Sequence, residues 1–467
     1  MRVFAAFVFA AAGLAVAARV GAPGASLAAA AQAAKAGIPF EDARASIEAH
    51  RAELPAVLRP LDLSALRTAW PTWVSTRNTE IRKRLAQGDE DSIVNFWLYG
   101  TSFTRQPRAT EREAARLSNA GAAQELLLAR LDDLVSALAR PGSNERLQFA
   151  RDLMAQQGID PLTAAGREKA AAYFVAIRER VLAENARYAR ASQSPSGYAT
   201  LFSDRGLSTD TRLTASYAID RALAELGASG RLAPGSIARV AIVGPGLDFT
   251  DKAEGYDFYP PQTIQPFALA DSLARLKLSA RADVSMTTLD LSPRVNRHLD
   301  AARRRAATGA AYVMQLPLSR DQPKHEWQPD LVTYWQAAGS VIGRSVPAAP
   351  IPAIAGDVRA RAVAVRSSVV TAITPEDVNI VVERLDPLPD DRRFDLIVAT
   401  NILVYYDAFE QSLALANIAR MLKPGGIFLT NYAVAPLPPM EFAASQTTTV
   451  YFDRQQNGDT IYAYRRR

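Results

Sequence analysis

The 467-residue chain has no cysteine and only three histidines, His50, His298 and His325. Disulfides, thiolate metal sites and cysteine nucleophiles are therefore excluded. No two of the histidines share a ligand-type spacing such as His-x-x-x-His, so no metal site is expected. Past the N-terminus, no apolar run is long enough to cross a bilayer. A basic stripe interleaved with aromatics is also missing. The net charge of +6 is scattered, and "AARRRAA" (301–307) and the terminal "YRRR" read as a solvated helix face and a tail. Nucleic acid is not an expected partner.

What remains is globular in composition, with 48% hydrophobic and 22% charged residues, in a chain too long for one ordinary domain. Residues 3–18 are apolar, follow Arg2, and contain the small-x-small pattern Ala15-Val16-Ala17. Residues 1–28 thus read as an export signal or a membrane tether. A working signal implies a periplasmic or secreted protein; otherwise the chain is cytoplasmic. No other membrane contact is expected, and the oligomeric state cannot be read.

Residues 40–195 read as an all-helical N-terminal domain. Leu127, Leu131, Leu134 and Leu138 recur at helical spacing and predict one buried stripe, as do Tyr173, Ile177 and Val181. Trp70, Trp73, Trp97 and Tyr99 precede the polar run Gly100–Thr104. These residues either pack helices beside a turn or line a cleft, and packing is the simpler reading. The Ser- and Gly-rich stretch 191–211 reads as a linker.

From 212 to 467, strands alternate with helices. "RVAIVG", "DVSMTTLDLS", "RFDLIVAT" and "GGIFLTNY" are apolar strands, and "QPFALADSLARL" and "FEQSLALANIARML" are helices between them. The expected class is α/β, a doubly wound, mostly parallel sheet. Between 312 and 385 the rhythm breaks, and a small inserted antiparallel β-subdomain is expected there.

In open α/β sheets, ligands lie beyond the carboxyl ends of the strands. Four sets of candidates fall at such ends. The loop Gly244-Pro245-Gly246-Leu247-Asp248 lets backbone approach a ligand. Asp290 ends the next strand, where a carboxylate can accept both hydroxyl protons of a ribose, or else cap the helix that follows. Glu383 and Asp386 close a third strand, or are solvent-facing turn residues. Asn401 stands at the mouth of a fourth, or satisfies backbone at a tight exit.

The segment "FDLIVATNILVYYDAFEQSLALANIARMLKPGGIFLTNY" (394–432) resembles the fourth and fifth strands of class I S-adenosylmethionine-dependent methyltransferases. It is most similar to the chemotaxis-receptor glutamate methyltransferases, through the Asn, the Tyr-aromatic-Asp and the Leu-Lys-Pro-Gly turn. "FALADSL" (267–273) and the inserted β-subdomain are similar too, and the likeness covers about 236–432. It implies S-adenosylmethionine as cofactor, with Gly244, Gly246 and Asp248 beside its methionine part and Asp290 on its ribose. Glu383 or Asp386 would face the adenine, Gln262 or Gln265 the amino-acid end, and Asn401 the sulfonium methyl and the substrate. The partner implied is a small-molecule or protein methyl acceptor. The chain departs from the family at Ile242, where an acid is usual, at Asp248, where a third glycine is usual, and at Thr400, where the receptor enzymes have Arg. The last makes receptor glutamate an unexpected substrate. Drift in the loop, together with the export signal, leaves open an exported, non-catalytic binding protein on the same fold.

Overall fold

The computed structural model describes residues 34–109, 122–191, 205–209, 213–250, 256–319, 326–434 and 442–467. The proposed signal (1–28), most of the proposed linker and His325 lie outside these residues.

A seven-stranded sheet organises the C-terminal half. In chain order its strands are β2 (Arg239–Val243), β3 (Ser285–Leu289), β7 (Ile373–Glu376), β9 (Phe394–Ala399), β10 (Leu422–Thr430), β11 (Phe442–Tyr451) and β12 (Gly458–Arg466). Their spatial order is β11-β12-β10-β9-β2-β3-β7. The five strands from β10 to β7 run parallel, and β12 enters antiparallel to both its neighbours. The central strands β2 and β9 are buried almost throughout, which accounts for their nearly unbroken apolar sequences. From β2 the chain winds outward through β3 and β7, then returns to the other side of β2 as β9 and β10. That reversal leaves a crevice above the carboxyl ends of β2 and β9.

Helix starts agree with local chemistry. Ser292 caps the helix Pro293–Ala307, which begins with Pro, and Asp407 and Glu410 form a capping box for Ala408–Met421.

The inserted subdomain is real but shorter than expected. Strands β4 (Tyr312–Ser319), β5 (Gly343–Val346) and β6 (Val358–Val365) form a three-stranded antiparallel sheet in the order β4-β6-β5. The insertion therefore ends near 365, not 385, because β7 is the edge of the main sheet. Pro375 lies inside that edge strand, opposite Thr288, and an edge is where a strand tolerates the missing N–H.

The N-terminal region is helical, as its periodicity predicts. A 37-residue helix, Leu63–Tyr99, serves two cores. Its first half carries Trp70 and Trp73, stacked with ring centroids 4.9 Å apart, and Trp73 meets Phe409 of the α/β unit at 5.7 Å. The same cluster holds Ile397 and Phe428 of the main sheet. Its second half packs with Leu127, Leu131, Leu134 and Leu138, the stripe read from sequence, all buried. A strand before these helices, β1 (Ala34–Gly37), pairs antiparallel with β8 (Glu383–Asp386), so the N-terminal chain is stitched to the α/β unit on both sides.

The aromatic and polar stretch around 97–108 is packing rather than cleft. Arg130 is fully buried, and its guanidinium donates to the carbonyls of Trp97, Gly100, Gln106 and Pro107 at 2.6–3.0 Å. Burial pulls its pKa down to about 10, partly offset by Asp257 and Asp133. Asp257 in turn accepts from the backbone N–H and hydroxyl groups of Thr101 and Ser102. The polar run is thus an internal hydrogen-bonded knot. Replacing Arg130 with Met keeps the bulk but removes four hydrogen bonds, two of them buried, so urea denaturation should show a loss of about 3 kcal/mol. An unchanged midpoint would refute this role.

Candidate functional site

The turn after β2 is dictated by its glycines. Gly244 and Gly246 have φ of +63° and +72°, a region closed to most side chains. A Cβ on Gly244 would also lie 2.2 Å from Ile402 Cδ1. The parallel register pairs Val243 with Leu289, so the Gly244 N–H reaches the Leu289 carbonyl at 2.9 Å and the turn faces Asp290 directly.

Beyond these strand ends lies a cavity of about 570 Å³. Gly244, Gly246, Gln265, Asp290, Thr400 and Asn401 all line it. Val378 and Ile380 form the wall past β7, while Leu85, Leu207, Ser208 and Thr209 bring the N-terminal region over the opening. A cavity of this size suits a nucleoside-sized ligand.

Asp290 is the chemical centre of the cavity. Its carboxylate accepts the Ser292 N–H at 2.7 Å and is also hydrogen-bonded by the Gly246 backbone. Burial nevertheless dominates and raises its pKa to about 7; the two backbone donors and Arg294 oppose that shift without overcoming it. Because Ser292 is the N-cap of the following helix, capping does not explain Asp290. The folded chain binds this proton more tightly than the unfolded chain. The associated stability is present below the unfolded value near 3.8 and is lost as pH rises through about 7.

Asn401 adopts φ +59°, a left-handed conformation that Asn tolerates better than most residues. Its backbone N–H donates to Asn431 Oδ1 at 2.8 Å, and Asn431 Nδ2 donates to Asn401 Oδ1 at 2.7 Å. Asn431 Nδ2 also reaches Asp459 Oδ2 at 3.2 Å. Sequence reading missed Asn431 and Asp459. A signal was there: the adjacent parallel strands β9 and β10 both end in Thr-Asn, which sets two amides side by side.

Four expected residues stand elsewhere. Asp248 is buried away from the cavity and accepts from the Tyr259 hydroxyl at 2.9 Å and Gln262 Nε2 at 3.1 Å. Gln262 is further tied to the Gln315 backbone; Gln265, its alternative, reaches the cavity and donates to Thr400 Oγ1 at 2.9 Å. Glu383 accepts from Asn78, Arg82 and the Asn379 N–H, anchoring the long helix. Asp386 pairs with Arg384 at 2.8 Å. The cause is topological. Residues 383–386 pair with β1 rather than joining the main sheet, and the strand beside β3 is β7, whose exit supplies Val378 and Ile380. His298 is half-buried, contacts the Tyr312 hydroxyl at 2.9 Å, and has its pKa lowered by burial to about 4.

Residues 352–430 match a family described as a methyltransferase domain. No curated protein sequence matches the chain. Among solved structures, the N-methyltransferase NodS of Bradyrhizobium japonicum WM9 with S-adenosylhomocysteine aligns over 60% of this chain and 97% of its own, at 13% identity and TM-score 0.27. The magnesium protoporphyrin IX methyltransferase ChlM of Synechocystis PCC 6803 with bound S-adenosylmethionine aligns over 55% and 82%, at 12% and 0.27. The mitomycin 7-O-methyltransferase MmcR aligns over 87% and 100%, at 12% and 0.28. With the strand order, the domain match supports the class I S-adenosylmethionine-dependent methyltransferase superfamily.

The glycine turn gives a direct test. Gly244→Ala should cost about 1–2 kcal/mol for its left-handed backbone alone, plus the displacement of Ile402. Pairing it with Ile402→Ala should leave the backbone part of the penalty relative to Ile402→Ala alone. Equal denaturation midpoints for Gly244→Ala and the parent would contradict the geometry.

Proposed function

We propose that the chain is a methyltransferase that holds S-adenosylmethionine across the cavity above β2 and β9. One observation carries this: the Gly246 backbone and the Asp290 carboxylate converge on the wall of one nucleoside-sized hollow. The residues present fit the cofactor. Asp290 lines the cavity, and its carboxylate, whose two backbone donors do not offset its burial, can accept further hydrogen bonds of the kind ribose hydroxyls provide.

In this reading the turn at Gly244–Gly246 takes the methionine end, Asp290 the ribose, and Val378 with Ile380 the adenine. When bound, the cofactor supplies an electrophilic methyl group on a positively charged sulfur. The protein's share is orientation and exclusion of water, with Leu85 and Leu207 closing the opening and Asn401 facing the acceptor side. No side chain need form a covalent bond. The acceptor is an O- or N-nucleophile on a small molecule or protein. The likeness to receptor glutamate methyltransferases rests on 394–432, and Thr400 argues against that substrate. For residues 1–28 we propose an export signal or tether; a fusion of residues 1–40 to a reporter active only outside the cytoplasm should be active, and an inactive fusion would place the domain inside the cell.

Calorimetric titration with S-adenosylhomocysteine tests the cavity. Ribose hydroxyls favour ionised Asp290, so binding should release a proton, and affinity should rise by up to about tenfold per unit as pH climbs towards 7. Asp290→Asn should weaken binding about tenfold and abolish that pH slope. The same variant should be more stable than the parent at pH 8, since it buries no charge. No heat at millimolar ligand would overturn the transferase reading and favour a non-catalytic protein.

A further inference from the structure

A second cavity, of about 510 Å³, adjoins the first on the side of Asn401 and shares Asn431, Tyr432 and Asp459 with it. No assigned role uses it. Besides the shared residues, its wall includes Tyr451 and Tyr462. Among the described residues, Asp459 is the only carboxylate on that wall, and no lysine, arginine or histidine lines it. On a chain of net charge +6, this is a locally negative, aromatic hollow.

Asp459 is held rather than neutralised. Its Oδ1 accepts the Thr460 N–H at 2.9 Å and its Oδ2 accepts Asn431 Nδ2 at 3.2 Å. Both donors are uncharged amides, and among the described residues no lysine, arginine or histidine pairs with the carboxylate. Burial raises its pKa against these two hydrogen bonds. A partly desolvated carboxylate in a hollow lined by three tyrosines is complementary to an ammonium group, which gains from the charge and from contact with an aromatic ring. An anionic acceptor would be repelled by both.

We propose that this second cavity binds the methyl acceptor as a cationic primary or secondary amine, with its body among Tyr432, Tyr451 and Tyr462 and its nitrogen at Asp459. The inference rests on the methyltransferase reading for its chemistry, though not for its binding site. The Asn431–Asn401 pair links Asp459 to the mouth of the first cavity, so an amine seated there points towards the reacting end. Before attack, the ammonium gives one proton to the Asp459 carboxylate, which passes it to solvent. The freed lone pair forms the nitrogen–carbon bond as the carbon–sulfur bond breaks, and that electron pair stays on sulfur. The products are the N-methylated ammonium and neutral S-adenosylhomocysteine.

The test uses the full chain and four probes: benzylamine, tyramine, phenylacetate and benzyl alcohol, titrated calorimetrically with and without S-adenosylhomocysteine. Both amines should bind, and the other two should bind at least about tenfold more weakly. Asp459→Asn, which keeps shape and size, should weaken the amines about tenfold, and Tyr451→Leu, on the second cavity's wall alone, should weaken them while leaving S-adenosylhomocysteine affinity within about twofold. Tyr432→Leu should weaken them independently, and thermal melts verify that each variant is folded. Phenylacetate or benzyl alcohol binding as well as the amines would overturn the proposal, as would an amine affinity indifferent to Asp459→Asn. Amine binding without S-adenosylhomocysteine binding would uphold the amine site while removing the transferase reading.

Discussion

A buried carboxylate without a paired cation is the constraint around which the site is arranged. Asp290 has two backbone donors, one from its own turn and one from the glycine turn on the neighbouring strand, and they do not offset the cost of its burial. Perturbed buried groups of this kind cluster at functional sites, and a hydroxyl-bearing ligand can add hydrogen bonds to this carboxylate. The neighbouring features follow from this requirement. The register between β2 and β3 sets Gly244 against the end of β3. The left-handed glycines then turn the backbone N–H of position 246 towards the acid.

The hollow also needs a roof, and the roof couples the two halves of the chain. Arg84 on the long helix donates to the backbone carbonyls of Arg205 and Tyr405, while Arg77 pairs with buried Glu410 at 2.6 Å. Asn78 and Arg82 hold Glu383. Along one helix these contacts reach the β8 region, the helix after β9 and the segment carrying Leu207. The helical region is therefore no detachable module: its first tryptophans share a core with the sheet, and its middle covers the cavity. One helix thus both shares the sheet's core and lines the cavity.

Legibility in the sequence followed the range of the interactions. The glycine turn, Asp290 and Asn401 were readable because each is fixed by the residue that ends a buried strand, a local property. The leucine stripe at 127–138 was readable from helical period for the same reason. Glu383 and Asp386 were misjudged because "VNIVVERL" has all the marks of a core strand. Its partner is residues 34–37, more than three hundred positions away, and no local pattern discloses that pairing. Pro375 concealed β7 in the opposite sense, since a proline argues against a strand unless the strand is known to be an edge. Asp248 was expected beside the methionine part of the cofactor, yet its carboxylate is taken by Tyr259 and Gln262.

The two sides of the site therefore differ in kind. On the proposed cofactor side, the wall is set by strand ends, a glycine turn and one carboxylate, which strand punctuation makes readable. The proposed acceptor side is lined by residues from the ends of β9 and β10 and the hairpin of β11 and β12. Asn401, Asn431 and Asp459 meet only because β12 enters antiparallel beside β10, which brings its first residues up to the carboxyl ends of the parallel strands. Substitution at those three positions leaves the sheet and the glycine turn untouched. All three also line the first cavity, so in the proposed reading they are where the two ligands would meet; the fold is legible from strand punctuation, while the acceptor must be argued from charge and ring chemistry at the hairpin.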